Sequence, residues 1–207
     1  MKLILQKILS GFLSGLLISM GGMIFLLCEN NVVGATLFSV GLMMIVTRGY
    51  LLYTGIIGEV PNNFKWSFAW LIFLCLVGNL LGTSFAGLFI PDGHSLIFRA
   101  ETVTEAKVAK SALRILFDSI GCGVLMYLAV NSYKQFNKNY LLLIFPVIVF
   151  ILAGFEHSIA DMFYFAASGF LFTIDGALLT LLIILGNAIG AIAFSLIHKF
   201  VKLELGK

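Results

Sequence analysis

Charged residues are so sparse in this sequence that it contains long charge-free runs, and such runs indicate whether a chain folds in water or in a lipid bilayer. Seven such runs cover residues 8–28, 30–47, 66–91, 119–133, 139–155, 162–174 and 176–197. A helix of about 20 apolar residues is long enough to cross a bilayer, and the runs 8–28, 66–91 and 176–197 reach that length unaided. The sequence therefore predicts an integral membrane protein with almost no domain outside the lipid bilayer.

The composition excludes several other classes of protein. Only 11% of the residues are charged and 60% are hydrophobic, whereas an ordinary soluble domain carries roughly 25% charged residues. A net charge of +3 is too small to indicate a nucleic-acid partner. Cys28, Cys75 and Cys122 lie apart within apolar runs, which predicts neither a disulfide framework nor a metal site. We therefore expect no cofactor and no metal.

Two stretches do not fit a continuous membrane helix. Residues 32–58 include Arg48 followed by several glycines, and residues 140–172 include Glu156, His157 and Asp161. An ionisable side chain at membrane depth costs at least about 2.5 kcal/mol unless it faces a cavity or a partner. We interpret both stretches as interrupted spans, because irregular backbone is tolerated in a bilayer only where protein or water covers it.

The remaining runs supply four continuous spans, which makes six in total. The run 119–133 is long enough once it is extended back over residues 113–117, and this places Asp118 inside the helix. The first run follows two lysines as a signal peptide would. It is too long for that role and lacks a small-residue cleavage site, so we expect it to be retained as the first span.

The predicted interruptions and several short motifs recur about 105 residues apart. Gly78-Asn-Leu-Leu-Gly82 parallels Gly186-Asn-Ala-Ile-Gly190, and Phe12-Leu-Ser14 parallels Phe117-Asp-Ser119. Residues of about 8–90 and 113–198 are thus predicted to be two three-span repeats of inverted topology, as in many transporters, within one domain of residues 1–207. The alternative is coincidence among glycine-rich packing motifs.

The positions of Lys and Arg predict the orientation. With the N-terminus inside, the inner segments carry eight cations: Lys2, Lys7, Lys65, Lys134, Lys138, Lys199, Lys202 and Lys207. The outer segments carry four, all in one connection: Arg99, Lys107, Lys110 and Arg114. This excess predicts that both termini lie in the cytoplasm. We expect the protein in the inner (plasma) membrane.

The stretch Gly154-Phe-Glu-His-Ser-Ile-Ala-Asp-Met162 resembles the fifth-span signature of the formate/nitrite transporter family. Leu52-Tyr-Thr-Gly55 resembles the motif at the break of that family's second span, and Ala106-Lys-Val108 its lysine segment ahead of span 4. The resemblance covers essentially the whole chain. It implies a homopentamer of six-span, aquaporin-like protomers, each with a pore for small anions such as formate, nitrite or hydrosulfide, often accompanied by a proton.

The resemblance also implies roles for single residues. His157, between Glu156 and Ser158, becomes the central pore histidine facing Thr54, and Lys107 becomes the cation that attracts anions at the outer vestibule. The constrictions would be formed by Phe38 and Phe150 on the outer side and by Leu42, Leu52 and Tyr53 on the inner side. Three positions depart from the family pattern, because Leu51 replaces an acidic residue, and Gly123 and Asp161 replace asparagines.

Elementary chemistry is consistent with such a pore. A small anion cannot cross apolar rings cheaply while charged, but the conjugate base of a weak acid can accept a proton and cross as the neutral acid. Histidine changes charge near neutral pH, so either His157 or water could donate this proton. We expect Glu156 to accept from backbone N–H groups at the break, and Asp161, four residues after His157, to share its helix face.

Three alternatives have weaker sequence support. One is a neutral-solute pore of the aquaporin type, but this sequence lacks the paired Asn-Pro-Ala loops of such pores, since its prolines are Pro61, Pro91 and Pro146. Another is an intramembrane enzyme, but the sequence contains neither a nucleophile-elbow motif nor a zinc motif. The adjacent His157 and Ser158 would point in different directions on a helix, which is poor geometry for a nucleophile and its base. A non-transporting membrane protein would not need ionisable residues at matched interruptions.

Overall fold

The computed structural model describes the backbone of residues 1–205 and the side chains of residues 1–201. The side chain of Lys202, all of Lys207 and the end of the predicted domain lie outside this range. Within it the fold is all-helical, with α-helices α1 (Lys2–Leu27), α2 (Asn31–Arg48), α3 (Tyr53–Ile56), α4 (Trp66–Leu88), α5 (Ser95–Val108), α6 (Ala112–Gln135), α7 (Leu141–Leu152), α8 (Ser158–Ala167) and α9 (Ile174–Leu205). Two 3-10 turns, Ile57–Asn62 and Phe170–Phe172, follow α3 and α8.

Five helices of the described chain are long and apolar enough to cross a membrane: α1, α2, α4, α6 and α9. Helix α7 is also apolar but has only 12 residues. Five of the seven charge-free runs thus lie largely in these helices, because a helix is the form in which one segment satisfies all of its own backbone groups in lipid.

The chain leaves helical geometry in both of the stretches that the sequence marked as irregular. Helix α2 ends at Arg48, and Gly49 adopts a φ of +70° before α3 begins at Tyr53. Helix α7 ends at Leu152, and Gly154 adopts a φ of +69° before α8 begins at Ser158. Glycine suits both turns, since a Cβ is strained at positive φ.

Small residues bring two pairs of helices into close contact. A Cβ on Gly15 of α1 would lie 2.5 Å from the carbonyl oxygen of Asn79 in α4, and one on Gly11 would lie 3.0 Å from the Cα of Gly78. Gly186 and Gly190 of α9 pack in the same manner on Ser119 and Ile120 of α6. The two Gly-Asn motifs therefore lie where helix backbones approach each other, as small residues permit in membrane proteins.

Two shorter helices position the site. Every residue of α8 is buried, which places this helix at the centre of the molecule. The sequence did not predict α5, which contains two of the four cations of the connection between the repeats, Arg99 and Lys107. It packs beside α8 with Leu96, Ala100 and Thr104 buried. Their spacing of four residues is the signal that could have revealed the helix.

Candidate functional site

Asn187 satisfies the backbone groups freed between α7 and α8. Its Oδ1 accepts a hydrogen bond from the backbone N–H of Ser158 at 2.9 Å. Its Nδ2 donates to the carbonyl oxygens of Ser119 and Glu156, both at 2.8 Å. One buried amide therefore joins α9, α6 and the segment before α8.

Asn79 makes the same set of bonds between α2 and α3. Its Oδ1 accepts from the backbone N–H of Tyr53 at 2.9 Å. Its Nδ2 donates to the carbonyl oxygens of Gly11 at 2.9 Å and of Leu51 at 3.1 Å. The sequence marked both asparagines as repeated motifs but did not predict this role, because the partners are 26 to 68 residues away.

His157 lies at the start of α8 and faces Thr54. Its Nδ1 accepts a hydrogen bond from the backbone N–H of Ala160 at 3.1 Å, so in the neutral ring the proton is on Nε2. That N–H donates to the hydroxyl oxygen of Thr54 at 3.0 Å. Both side chains are buried. An imidazolium has no acceptor nitrogen, so this arrangement holds a neutral imidazole.

Aromatic and hydroxyl side chains complete the surroundings of His157. The ring of Phe150 stacks on the imidazole with centroids 5.3 Å apart and an interplanar angle of 18°. Phe38 meets Phe150 edge to face at 6.1 Å. The hydroxyl of Ser158 is buried and has no hydrogen-bond partner among the described residues.

An alternating chain of charges begins beside His157 and ends at the protein surface. Lys107 of α5 binds Glu156, and its Nζ lies 2.9 Å from Oδ1 of Asp161. The other oxygen of Glu156 lies 2.6 Å from Nζ of Lys110. In order, the six charged side chains are Asp161, Lys107, Glu156, Lys110, Asp118 and Arg114. The side chain of Asp161 is 2% exposed, whereas that of Arg114 at the other end is 62% exposed.

Glu156 therefore does not have the partners expected from sequence. Its carboxylate binds Lys107 and Lys110, while the backbone N–H of Ser158 at the break donates to Asn187. Sequence reasoning could have found the outer end of the charge chain, because Arg114 and Asp118 have the i,i+4 spacing of helical ion pairs. It could not place Lys110 beside Glu156, which is 46 residues away.

Lys110 connects the N-terminal part of α6 to the turn before α8. Its Nζ lies 2.9 Å from Oδ2 of Asp118 and 3.0 Å from the carbonyl oxygen of Gly154. Partial burial opposes the charged form of Lys110, but hydrogen bonds to Glu156 and Asp118 outweigh it and raise the pKa of this lysine. Lys110 is therefore a fixed cation at the cavity described next.

Two cavities have some of the residues expected at the constrictions on their walls. The cavity beside α5, called the outer cavity after the orientation expected from the sequence, has a volume of about 230 Å³, and its walls include Phe150, His157, Asp161, Lys107 and Lys110. The inner one has a volume of about 180 Å³, and Leu42 and Leu52 lie on its wall together with Lys134. Phe38, Tyr53 and Thr54 are buried and are not wall residues of either cavity.

Gly123 and Leu51 have structural explanations. A Cβ on Gly123 would lie 2.9 Å from the Cα of Asn187, so an asparagine has no room there. The backbone N–H of Leu51 donates to the hydroxyl of Ser10 at 2.9 Å, and its carbonyl accepts from Asn79. Leu51 thus contributes its backbone to the turn, and the hydrogen bonds there need no acidic side chain.

Comparisons with known proteins agree with this geometry. Residues 2–201 match the family model described as formate/nitrite transporter. The formate channel BtFdhC of Bacillus thuringiensis is 28% identical over 215 residues, which cover 89% of this chain and 82% of that protein. The nitrite transporter NirC of Salmonella typhimurium is 28% identical over 182 residues, covering 79% and 67%. The solved pentameric formate channel with formate bound superimposes with a TM-score of 0.79 at 20% identity, covering 100% of this chain and 99% of that one.

Proposed function

Because the chain belongs to the formate/nitrite transporter family, we propose that it is a channel for small monovalent anions of weak acids, such as formate, nitrite and hydrosulfide. The family membership makes it a multi-pass membrane transport protein, and its relatives are channels and transporters rather than enzymes. The choice of anion and the passage of a proton with it belong to the proposal.

The neutral His157 between buried aromatic and aliphatic side chains is the observation that carries this proposal. A charged solute leaving the outer cavity would lose its water among Phe150, Phe38 and Leu42, which offer no hydrogen bonds. A weak acid escapes most of that cost because it can cross as the neutral molecule. The Nε2–H of His157 and the hydroxyl of Thr54 then supply polar contacts at the midpoint.

Lys107 and Lys110 support the recruitment of anions on the outer side. Both line the outer cavity, whose low-dielectric walls concentrate the field of fixed charges. The acidic partners Glu156 and Asp161 offset part of the charge of Lys107, so we propose that the lysine attracts anions at short range rather than from the bulk solution.

The proposed architecture follows from the helices and their breaks. We take α2 with α3, and α7 with α8, as two interrupted spans, which together with α1, α4, α6 and α9 make six. The matching bonds of Asn79 and Asn187 favour two inverted repeats within a single domain. We further propose a homopentamer in the inner membrane with cytoplasmic termini, by analogy with the pentameric formate channel.

A flux panel in liposomes tests the proposed function. The purified protein is reconstituted, and uptake of formate, nitrite, hydrosulfide, acetate, chloride and glycerol is compared with uptake by protein-free liposomes. We expect the weak-acid anions to enter faster than chloride, with internal acidification lost when the proton gradient is reversed. Glycerol flux that exceeds formate flux would indicate a neutral-solute pore instead, and flux equal to the protein-free control would contradict any transport role.

A further inference from the structure

Asp161 is the one carboxylate of the charge chain that has an oxygen without a partner in the described part of the protein. Its Oδ1 is 2.9 Å from Nζ of Lys107, whereas its Oδ2 is buried and makes no hydrogen bond. Buried polar atoms are nearly always hydrogen-bonded, so such an exception calls for an explanation. A carboxyl oxygen that the protein leaves unbonded is available to a proton or a solute.

The position of Asp161 gives a solute access to that carboxyl group. Asp161 lines the outer cavity of about 230 Å³ together with Lys107 and His157. An anion drawn to Lys107 in this cavity therefore lies beside Asp161 before it reaches the imidazole. The proposed function requires a proton to be added at this stage of passage.

The charge count of the cluster favours proton uptake when an anion arrives. Asp161, Glu156 and Asp118 carry three negative charges, and Lys107, Lys110 and Arg114 carry three positive ones. An entering anion leaves this balanced cluster with one excess negative charge in a site of low dielectric constant. A proton on Asp161 restores the balance and frees Lys107 to bind the anion.

We propose that Asp161 is the proton donor of the outer cavity, an inference that rests on the proposed function. In the protonated side chain the O–H bond at Oδ2 breaks, and its electron pair stays on the carboxylate, which Lys107 stabilises. A lone pair of the anion forms the new bond to the proton, and the neutral acid moves on past His157. The cluster is again balanced with Asp161 ionised, and when the next anion arrives a hydronium ion from the outer water protonates Asp161 again.

The neighbouring titratable groups are less suited to this step. Both nitrogens of His157 are held, one as an acceptor for Ala160 and the other as the donor to Thr54. The carboxyl group of Glu156 also lies beside Asp161, but its two oxygens are bound by Lys107 and Lys110. The other titratable groups near Asp161 are Lys107, Tyr164 and Cys122. On the far side of α8, helix α4 contains no charged residue between Trp66 and Leu88.

The pH dependence of uptake tests the proposal. Initial formate uptake is measured for the wild type, Asp161→Asn and Asp161→Glu at a fixed formate concentration, with the outer pH varied from about 8 to about 5. Protonation of formate in the bulk affects all three proteins equally, so the ratio of wild-type to variant flux reports the contribution of the side chain at position 161 alone. We expect the wild-type to Asp161→Asn ratio to rise roughly tenfold as the pH falls, since the wild type alone gains a donor, and Asp161→Glu to follow the wild type.

Two results would overturn the assignment. One is a wild-type to Asp161→Asn ratio that is constant across the pH range while both proteins transport formate. The other is independent of any variant: nitrite added to wild-type liposomes should produce an infrared difference band for a newly protonated carboxyl group, and its absence contradicts the proposal. A wild type that passes no formate or nitrite would instead contradict the proposed function itself.

Discussion

At the scale of single residues, His157 combines a structural bond with a position in the proposed path. Its Nδ1 caps the start of α8 by accepting from Ala160, and its Nε2–H meets Thr54. An asparagine can preserve an acceptor for the cap but cannot fill the space of a ring stacked on Phe150. Replacing His157 by asparagine therefore tests the effect of the ring on selectivity while the helix cap, and with it the fold, is kept.

We predict that His157→Asn broadens the range of anions that pass. The smaller amide leaves room for water beside Phe150, and this lowers the cost of a charged solute at the midpoint. The ratio of chloride to formate flux in liposomes should rise roughly tenfold, which corresponds to about 1.4 kcal/mol. Thr54→Val is the matched control because it removes the same hydrogen bond but leaves the ring in place. Identical selectivity in the wild type and His157→Asn would contradict the prediction.

The sequence predicted the contact between His157 and Thr54 better than it predicted the charged groups beside them. The resemblance placed His157 opposite Thr54, and the two side chains lie 3.0 Å apart. It did not predict that Glu156 and Asp161 share Lys107, or that Lys110 reaches Glu156. Ion pairs between distant segments depend on how helices dock, and no spacing along the chain records that geometry.

At the scale of elements, the buried asparagines hold the interrupted backbone in place. We predict that Asn187→Leu strongly destabilises the protein, because it leaves the N–H of Ser158 and the carbonyls of Ser119 and Glu156 unpaired. Each such buried group costs about 1–3 kcal/mol. The unfolding temperature in detergent should fall strongly for Asn187→Leu and less for Asn187→Asp, which keeps the acceptor oxygen. A fall in unfolding temperature no larger than that of the exposed control Asn63→Leu would show that Asn187 does not hold the break in place.

The contact between α1 and α4 gives a second prediction at this scale. Gly15→Ala should destabilise the fold by about 1–3 kcal/mol, because the added methyl group would lie 2.5 Å from the carbonyl oxygen of Asn79. Gly55→Ala is the control, since its nearest neighbour, a methyl group of Val130, would be at an ordinary 3.5 Å. The unfolding temperature of Gly15→Ala should be clearly lower than that of Gly55→Ala. Equal unfolding temperatures would show that α1 and α4 can move apart at this contact without loss of stability.

At the scale of the whole molecule, the membrane itself made much of the fold predictable. The charge-free runs 8–28, 66–91 and 176–197 fall within or overlap α1, α4 and α9, because the bilayer sets a minimum length for an apolar helix. Helix α5 escaped prediction since it carries charges and is stabilised by packing on α8. The bilayer imposes no length or composition on a helix that does not cross it.

The positions of Lys and Arg lead to the last prediction, which concerns the sidedness of the whole chain. Eight cations in the inner segments against four in the outer ones favour cytoplasmic termini. The four outer cations do not contradict this, because Lys107, Lys110 and Arg114 are bound to carboxylates of the protein and Arg99 donates to the carbonyl of Leu26 at 2.6 Å.

Single cysteines at the exposed positions Asn63 and Glu101, in a Cys28→Ser background, report the two sides. A membrane-impermeant thiol reagent added to intact cells should label Glu101→Cys and spare Asn63→Cys until the cells are opened. The reverse pattern would invert the proposed topology and place the cavity of His157, Lys107 and Asp161 on the cytoplasmic side. Labelling of both in intact cells would exclude the six-span arrangement, because residues 63 and 101 are separated by α4, which must cross the membrane for the two ends to differ.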